Sequence, residues 1–176
     1  MRIGGSVVLV PRRPRFDLPP QGTYHVFNRG VEQRPLYLDD DDRRAFLSFL
    51  RLATRRTAWL VDAFTLMDNH FHLVVTTQLD RLSKGMHTLG FRYAQRFNDR
   101  HSRVGHLFQG RFSARVVEDE RHFFDVCEYV FDNPVRQGMC TRAVDYPWSG
   151  GEYFGLYWDA SNAGKPSIET AFRSRT

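Results

Sequence analysis

The run Leu66-Met67-Asp68-Asn69-His70-Phe71-His72-Leu73-Val74-Val75 constrains the fold of this chain more than any other stretch. Successive side chains of a β-strand point to opposite faces, so His70 and His72 share one face while Phe71, Leu73 and Val75 occupy the other. Such a strand needs hydrocarbon on one side only. Its other side carries two imidazoles at a fixed spacing, which serve either as two-thirds of a metal site or as ordinary hydrogen-bonded residues. Alternation alone leaves both readings open.

The neighbouring segments place this strand in a sheet. Trp59 to Leu66 reads as a strand, Met67-Asp68-Asn69 as a tight turn and His70 to Thr77 as the hairpin partner. Gly22 to Asn28 reads as an earlier strand closed by Arg29-Gly30. Asp39 to Asp42 precede Phe46, Phe49, Leu50 and Leu52, so this acidic run caps and charges a helix N-terminus rather than ligating a metal. Leu82 to Phe97 has the period of a basic amphipathic helix, and Gly105 to Val117 of a loop or short strand pair. Asp119 to Asn133 is a further helix, which Pro134 is expected to stop. This order predicts an α+β layer with helices packed on one face of an antiparallel sheet. The opposite face is then open to carry the two His and to admit a strand of nucleic acid.

The chain of 176 residues fits one domain. Residues 1–20, rich in Pro and Arg, are expected to form a basic arm, 21–158 the domain, and 159–176 a flexible tail. Cys127 and Cys140 stand alone without CxxC spacing, and no apolar run approaches a membrane span, so a cytoplasmic protein is expected. Of the 25 basic residues, 23 are Arg, the side chain suited to forked phosphate contacts. Charge is concentrated as well: residues 81–115 carry +7 of a net +5, leaving the remainder slightly acidic. Phe91, Tyr93, Phe97, Phe108 and Phe112 interleave with these Arg and offer rings for stacking on unpaired bases, or for the core of an amphipathic helix. Nucleic acid is the partner class this pattern favours.

Projection of the last helix at about 100° per residue puts Phe123, Phe124, Cys127, Val130 and Phe131 on one arc. His122, Asp125, Val126, Tyr129 and Asn133 lie on the other. Tyr129 and Asn133 are thus one turn apart and off the apolar stripe, where an amide and a phenol can approach one phosphate together.

From about Arg15 to Phe154 the sequence resembles the single-tyrosine HUH transposases, in particular the REP-associated tyrosine transposases. The matching stretches are Tyr24-His25-Val26-Phe27-Asn28-Arg29-Gly30, the Leu66 to Val74 run, Tyr93-Ala94-Gln95-Arg96-Phe97-Asn98, and Gly105 to Phe112. Glu128-Tyr129-Val130-Phe131-Asp132-Asn133-Pro134-Val135-Arg136 and Tyr146-Pro147-Trp148-Ser149 complete them, in the same order. Gly150-Gly151 departs from the family, which usually continues with another Ser, and Met1 to Pro14 has no counterpart. The resemblance implies a ferredoxin-like sheet with the His pair on a central strand, Tyr129 as the nucleophile, and His70, His72 and Asn133 as ligands of Mg²⁺ or Mn²⁺. It further implies nicking and strand transfer on single-stranded DNA at or beside palindromic hairpins, through a 5′-phosphotyrosine, by a monomer or homodimer.

Arg29, Arg92, Arg96, Arg111 and Arg136 are the candidate phosphate contacts. Tyr93 is the competing nucleophile, and His25, His101, His106 and His122 are either extra ligands or hydrogen-bonded structure. Two other function classes stay in contention: a non-catalytic, sequence-specific DNA-binding regulator on the same fold, and a metal-dependent hydrolase that uses water.

Overall fold

A computed structural model describes residues 18–157 and 167–168. Four long elements frame the molecule: strands β1 (Gln21–Arg29), β2 (Leu60–Leu66) and β3 (His70–Gln78), and helix α1 (Asp40–Thr57) between the first two. Helices α2 (Leu79–Arg100) and α3 (Glu120–Arg136) follow, with the short strands β4 (Ser113–Val116) between them and β5 (Ser149–Gly150) after them. The sheet is antiparallel with strand order β4-β1-β3-β2-β5, so β3 is central and its two His lie in the middle of the molecule.

Alternation along β1 and β3 builds the main core. Tyr24, Val26, Phe71, Leu73 and Val75 are almost fully buried against α1 and α2, where Phe46, Leu50, Leu82, Leu89, Tyr93 and Phe97 meet them. The ring of Phe46 lies 4.9 Å from that of Phe71 and 5.1 Å from that of Tyr93. Residues at the intervening positions, His25, His72 and Val74, face the other side. There Val74 and Ala63 pack against Cys127 and Val130 of α3, with Phe123 and Val126 at the border. The α+β class and the antiparallel sheet are as expected, but the helices do not all share one face: α3 covers the side expected to be open. Its apolar stripe is narrow, so it buries a strip of that face and leaves the rest to polar groups.

The acidic run does what a helix start requires. Asp39 is the N-cap of α1, its carboxylate accepting from the Asp42 backbone N–H, and buried Asp42 accepts from the Leu38 N–H. Arg100 and His101 at the end of α2 donate to the Asp42 carboxylate, tying the two helices together. Hydrogen bonding to Arg100 holds the Asp39 carboxyl well below the usual carboxylate range. At the other end of the chain Gly151 has φ of +137°, and a Cβ there would lie 2.2 Å from the Asp62 carbonyl oxygen. A glycine is required where the chain returns against β2.

Two boundaries differ from the sequence expectation. Leu18 is buried in the core, and the carbonyls of Pro19 and Pro20 accept from the Tyr24 hydroxyl and the Leu79 N–H, so these residues belong to the domain rather than to an arm. Ser167–Ile168, within the expected tail, pair with Leu156–Tyr157. The rest of the expected arm and tail lies outside the described residues. No described helix is long and apolar enough to cross a membrane.

Candidate active site

On the α3 side of the sheet, strand alternation delivers His25 from β1 and His70 and His72 from β3, and the register sets Phe27 directly opposite His72 and Arg29 opposite His70. The rings of His70 and His72 are 5.1 Å apart and perpendicular. Each Nδ1 is engaged: that of His70 with Asn69 Oδ1 at 2.8 Å, and that of His72 with His25 Nε2 at 2.9 Å. Both Nε2 atoms are therefore the ones available to a ligand.

Burial keeps these rings neutral. It lowers the His72 pKa to about 3, reinforced by His25 and His70, and that of His25 to about 4, reinforced by Arg115 and His122. His70 is lowered as well, by burial first and then by Arg29. A neutral imidazole with an unshared Nε2 lone pair is the form a divalent cation binds.

Helix α3 brings Tyr129 over His72 and His25. Its ring centroid lies 5.8 Å from that of His72 and 6.0 Å from that of His25, edge-on to both. Tyr129 is 39% exposed. The competing Tyr93 is buried to 1% exposure, donates its hydroxyl to the Leu36 carbonyl and has its pKa raised by desolvation. It is a core residue and cannot reach DNA. Tyr24 and Tyr146 also donate to backbone carbonyls, those of Pro19 and Leu66, and Tyr37 is buried.

The helix does not stop at Pro134, contrary to the sequence expectation. A proline removes one N–H and crowds the carbonyl four residues earlier, but within the last turn the loss is confined to that single bond. Gln137 and Gly138 still donate to Asn133 and Val135, and the chain leaves the helix at Gly138, whose φ is +71°. The additional turn carries Arg136, two turns after Tyr129, so that its guanidinium stands 5.5 Å over the Tyr129 ring. The helical projection erred at three positions. Val126, set off the apolar arc, packs against the cluster of Cys127 and Val130. Phe124 is 40% exposed, and Asn133 only 4%. Asn133 Nδ2 donates to the Tyr129 carbonyl at 3.3 Å, which leaves its oxygen as the side-chain atom free to act as a ligand.

The sequence model of the IS200-like transposases matches residues 20–133, nearly two-thirds of the chain and all four of His70, His72, Tyr129 and Asn133. The chain belongs to this family. Among solved structures, it is similar to a REP-associated tyrosine transposase bound to a REP hairpin, with a TM-score of 0.65 and 16% identity over 74% of this chain and 77% of that one. A candidate transposase from Deinococcus radiodurans R1 is similar at a TM-score of 0.46 and 14% identity, over 74% of this chain and 95% of that one. No curated protein matches in sequence.

The candidate phosphate-binding Arg of this transposase divide into two groups. Arg29 is beside His70 and bonded to Gln109, and Arg136 is over Tyr129. Arg92 and Arg96 are exposed on α2, on the far side of the sheet, and Arg96 lies beside Asp41 and Arg44 of α1. Arg111 borders an apolar cavity of about 310 Å³ with Asn28, Phe91 and Phe108, also away from the imidazoles. Arg115, not singled out in the sequence, pairs in register with His25 and places its guanidinium 5.5 Å from the Phe27 ring. His25 and Asn69 are the other groups the sequence reading underweighted. Strand parity was the available signal, since His25 alternates with Tyr24 and Val26 as His72 does with Phe71 and Leu73.

Among the described residues no three His, Cys, Asp or Glu side chains are arranged to hold a metal. The donor set nevertheless has the chemistry of a hard-to-borderline cation's ligands: two neutral imidazoles and an amide oxygen one turn beyond the phenol. The residues fit the ion the family implies.

Proposed function

We propose that this transposase nicks and rejoins single-stranded DNA at or beside palindromic hairpins, with Tyr129 as nucleophile. The observation that carries the reading is an exposed phenol whose ring lies 5.8 Å from that of His72, a desolvated imidazole that shares a strand face with His70 and whose Nδ1 is already engaged. The likeness of the fold to a hairpin-bound transposase supports the choice of substrate.

His70, His72 and the Asn133 oxygen would hold Mg²⁺ or Mn²⁺. The ion, when bound, supplies charge neutralisation and polarisation of the scissile phosphate. Tyr129 Oη attacks phosphorus, the bond to the 3′ oxygen breaks, and the departing strand leaves with a protonated 3′ hydroxyl. The 5′ phosphate stays ester-linked to Tyr129, so a second 3′ hydroxyl can attack it and reseal the backbone without an external energy source. Arg29 and Arg136, flanking the imidazoles and the phenol, orient the phosphates on either side. Arg92, Arg96 and Arg111 contact DNA further from the scissile bond. Two free thiols, Cys127 and Cys140, agree with action in the reducing cytoplasm.

A labelled hairpin oligonucleotide incubated with the protein and Mn²⁺ should give an adduct that survives denaturation and is lost with chelator. Both His70→Ala and His72→Ala should lose it too. One other reading is a DNA-binding regulator without catalysis, which the likeness of the fold to a hairpin-bound transposase accommodates equally. Tight hairpin binding with no cleavage under any metal would select that reading.

A further inference from the structure

The turn that precedes His70 is held more elaborately than a hairpin connection requires. Asn69 makes three hydrogen bonds: its backbone carbonyl accepts from Gly30 N–H at 2.8 Å, its Nδ2 donates to the Gln33 carbonyl at 3.1 Å, and its Oδ1 faces His70 Nδ1 at 2.8 Å. Next to it the Asp68 carbonyl accepts from Leu36 N–H, and the Asp68 carboxylate pairs with Arg43 at 2.7 Å.

We propose that Asn69 is a positioning residue that fixes His70 as the Nδ1–H tautomer, with the loop at Gly30 to Arg34 serving to orient its amide. A carbonyl oxygen only accepts, so the nitrogen of the Asn69 amide must face Gln33 and the oxygen must face His70. An oxygen cannot donate, so His70 Nδ1 carries the proton and the Nε2 lone pair points away from the turn.

The Gln33 carbonyl is placed there at the cost of backbone strain. Glu32 and Gln33 have φ of 52° and 59°, the left-handed region that residues with a Cβ avoid. The same turn needs Gly30, where a Cβ would stand 2.1 Å from the Arg34 carbonyl oxygen. Two strained residues and an obligatory glycine thus converge on one carbonyl, and that carbonyl receives the Asn69 amide.

The inference rests on the proposed function only in taking the Nε2 atom of His70 as a ligand; the tautomer itself is testable without metal. In the full, metal-free chain at mildly alkaline pH, long-range ¹H–¹⁵N correlation should show His70 with a protonated Nδ1 and a bare Nε2. The reverse pattern overturns the proposal. Asn69→Ala should release the tautomer and weaken Mn²⁺ binding by roughly 10–100-fold. Asn69→Asp keeps an acceptor oxygen and should keep the Nδ1–H form, and Gln33→Gly keeps the carbonyl while relaxing φ and should leave tautomer and affinity unchanged. A lowered melting temperature in Asn69→Ala with the tautomer intact would reduce Asn69 to a structural residue and overturn the proposal. Wild-type protein that shows the Nδ1–H form yet binds no Mn²⁺ would support the inference and refute the metal reading.

Discussion

The two faces of the sheet are built from the same strands and do opposite things. Toward α1 and α2, β1 and β3 send Tyr24, Val26, Phe71, Leu73 and Val75 into a continuous apolar core shared with two long helices. Toward α3 they send His25, Phe27, His70 and His72, and Val74, with Ala63 of β2, joins Cys127 and Val130 in a small apolar cluster bordered by Phe123, Val126, Tyr153 and Phe154. One face holds the molecule together, while the other gives up hydrocarbon contact so that imidazoles and a phenol can meet. Period-two alternation is sufficient to separate the tasks residue by residue.

The contrast predicts that stability and chemistry respond to different substitutions. The largest effect on stability is expected from the α1/α2 face: Phe71→Ala, which leaves a void beside Phe46 and Phe108, should cost about 3–5 kcal/mol in denaturant unfolding. A loss under 1 kcal/mol would show that the main core is not where the sequence alternation puts it. On the other face His72→Ala should remove most Mn²⁺ affinity, at least the 10–100-fold that loss of a supporting residue causes. Equal affinity, measured calorimetrically, would remove the imidazole pair from the site.

Acid should separate the faces in a third way. With His25 and His72 lowered to about 4 and 3, the unfolded chain takes up protons below about pH 6.5 that the folded chain refuses. Stability of the metal-free protein should therefore fall as pH drops from about 6.5 to 4, and His25→Phe should flatten that slope. The Asp39 carboxyl, lowered by Arg100 on the other face, contributes stability that is lost only below its ordinary value near 3.8. A stability curve flat down to pH 4 would contradict the burial assigned to the two rings. The smallest effect is expected for Tyr129→Phe, which should change stability by no more than about 0.5 kcal/mol because the hydroxyl is on an exposed ring.

The main face was legible in the sequence because hydrophobic alternation and helical period act locally. The hairpin at Met67 to Asn69, the Asp39 cap and the helix around Tyr93 all follow from neighbours within a turn. The site face was legible only in its parts. His70 and His72 are visible as a triplet, but the bond from His25 to His72 joins residues 47 positions apart and depends on register. Pro134 reads as a stop, yet a helix can absorb a proline one turn from its end, and the helical projection could not tell that Asn133 turns inward to the Tyr129 carbonyl. Placement of α3 on the opposite face depends on Cys127 and Val130 meeting Ala63 and Val74 of the sheet, a match between distant segments that periodicity within the helix does not reveal. The Arg-rich middle illustrates the limit of charge counting, since Arg100 is consumed by Asp39 and Asp42, and Arg92 and Arg96 lie across the sheet from the imidazoles.

The joining of helix and sheet at Tyr129 is tested most directly by identifying the amino acid that carries DNA after reaction with a hairpin oligonucleotide and Mn²⁺. Mass spectrometry of the proteolysed adduct should place a nucleotide on the peptide containing Tyr129, and Tyr129→Phe should yield none. A nucleotide on another residue, or cleaved DNA with no protein attached, would contradict the account.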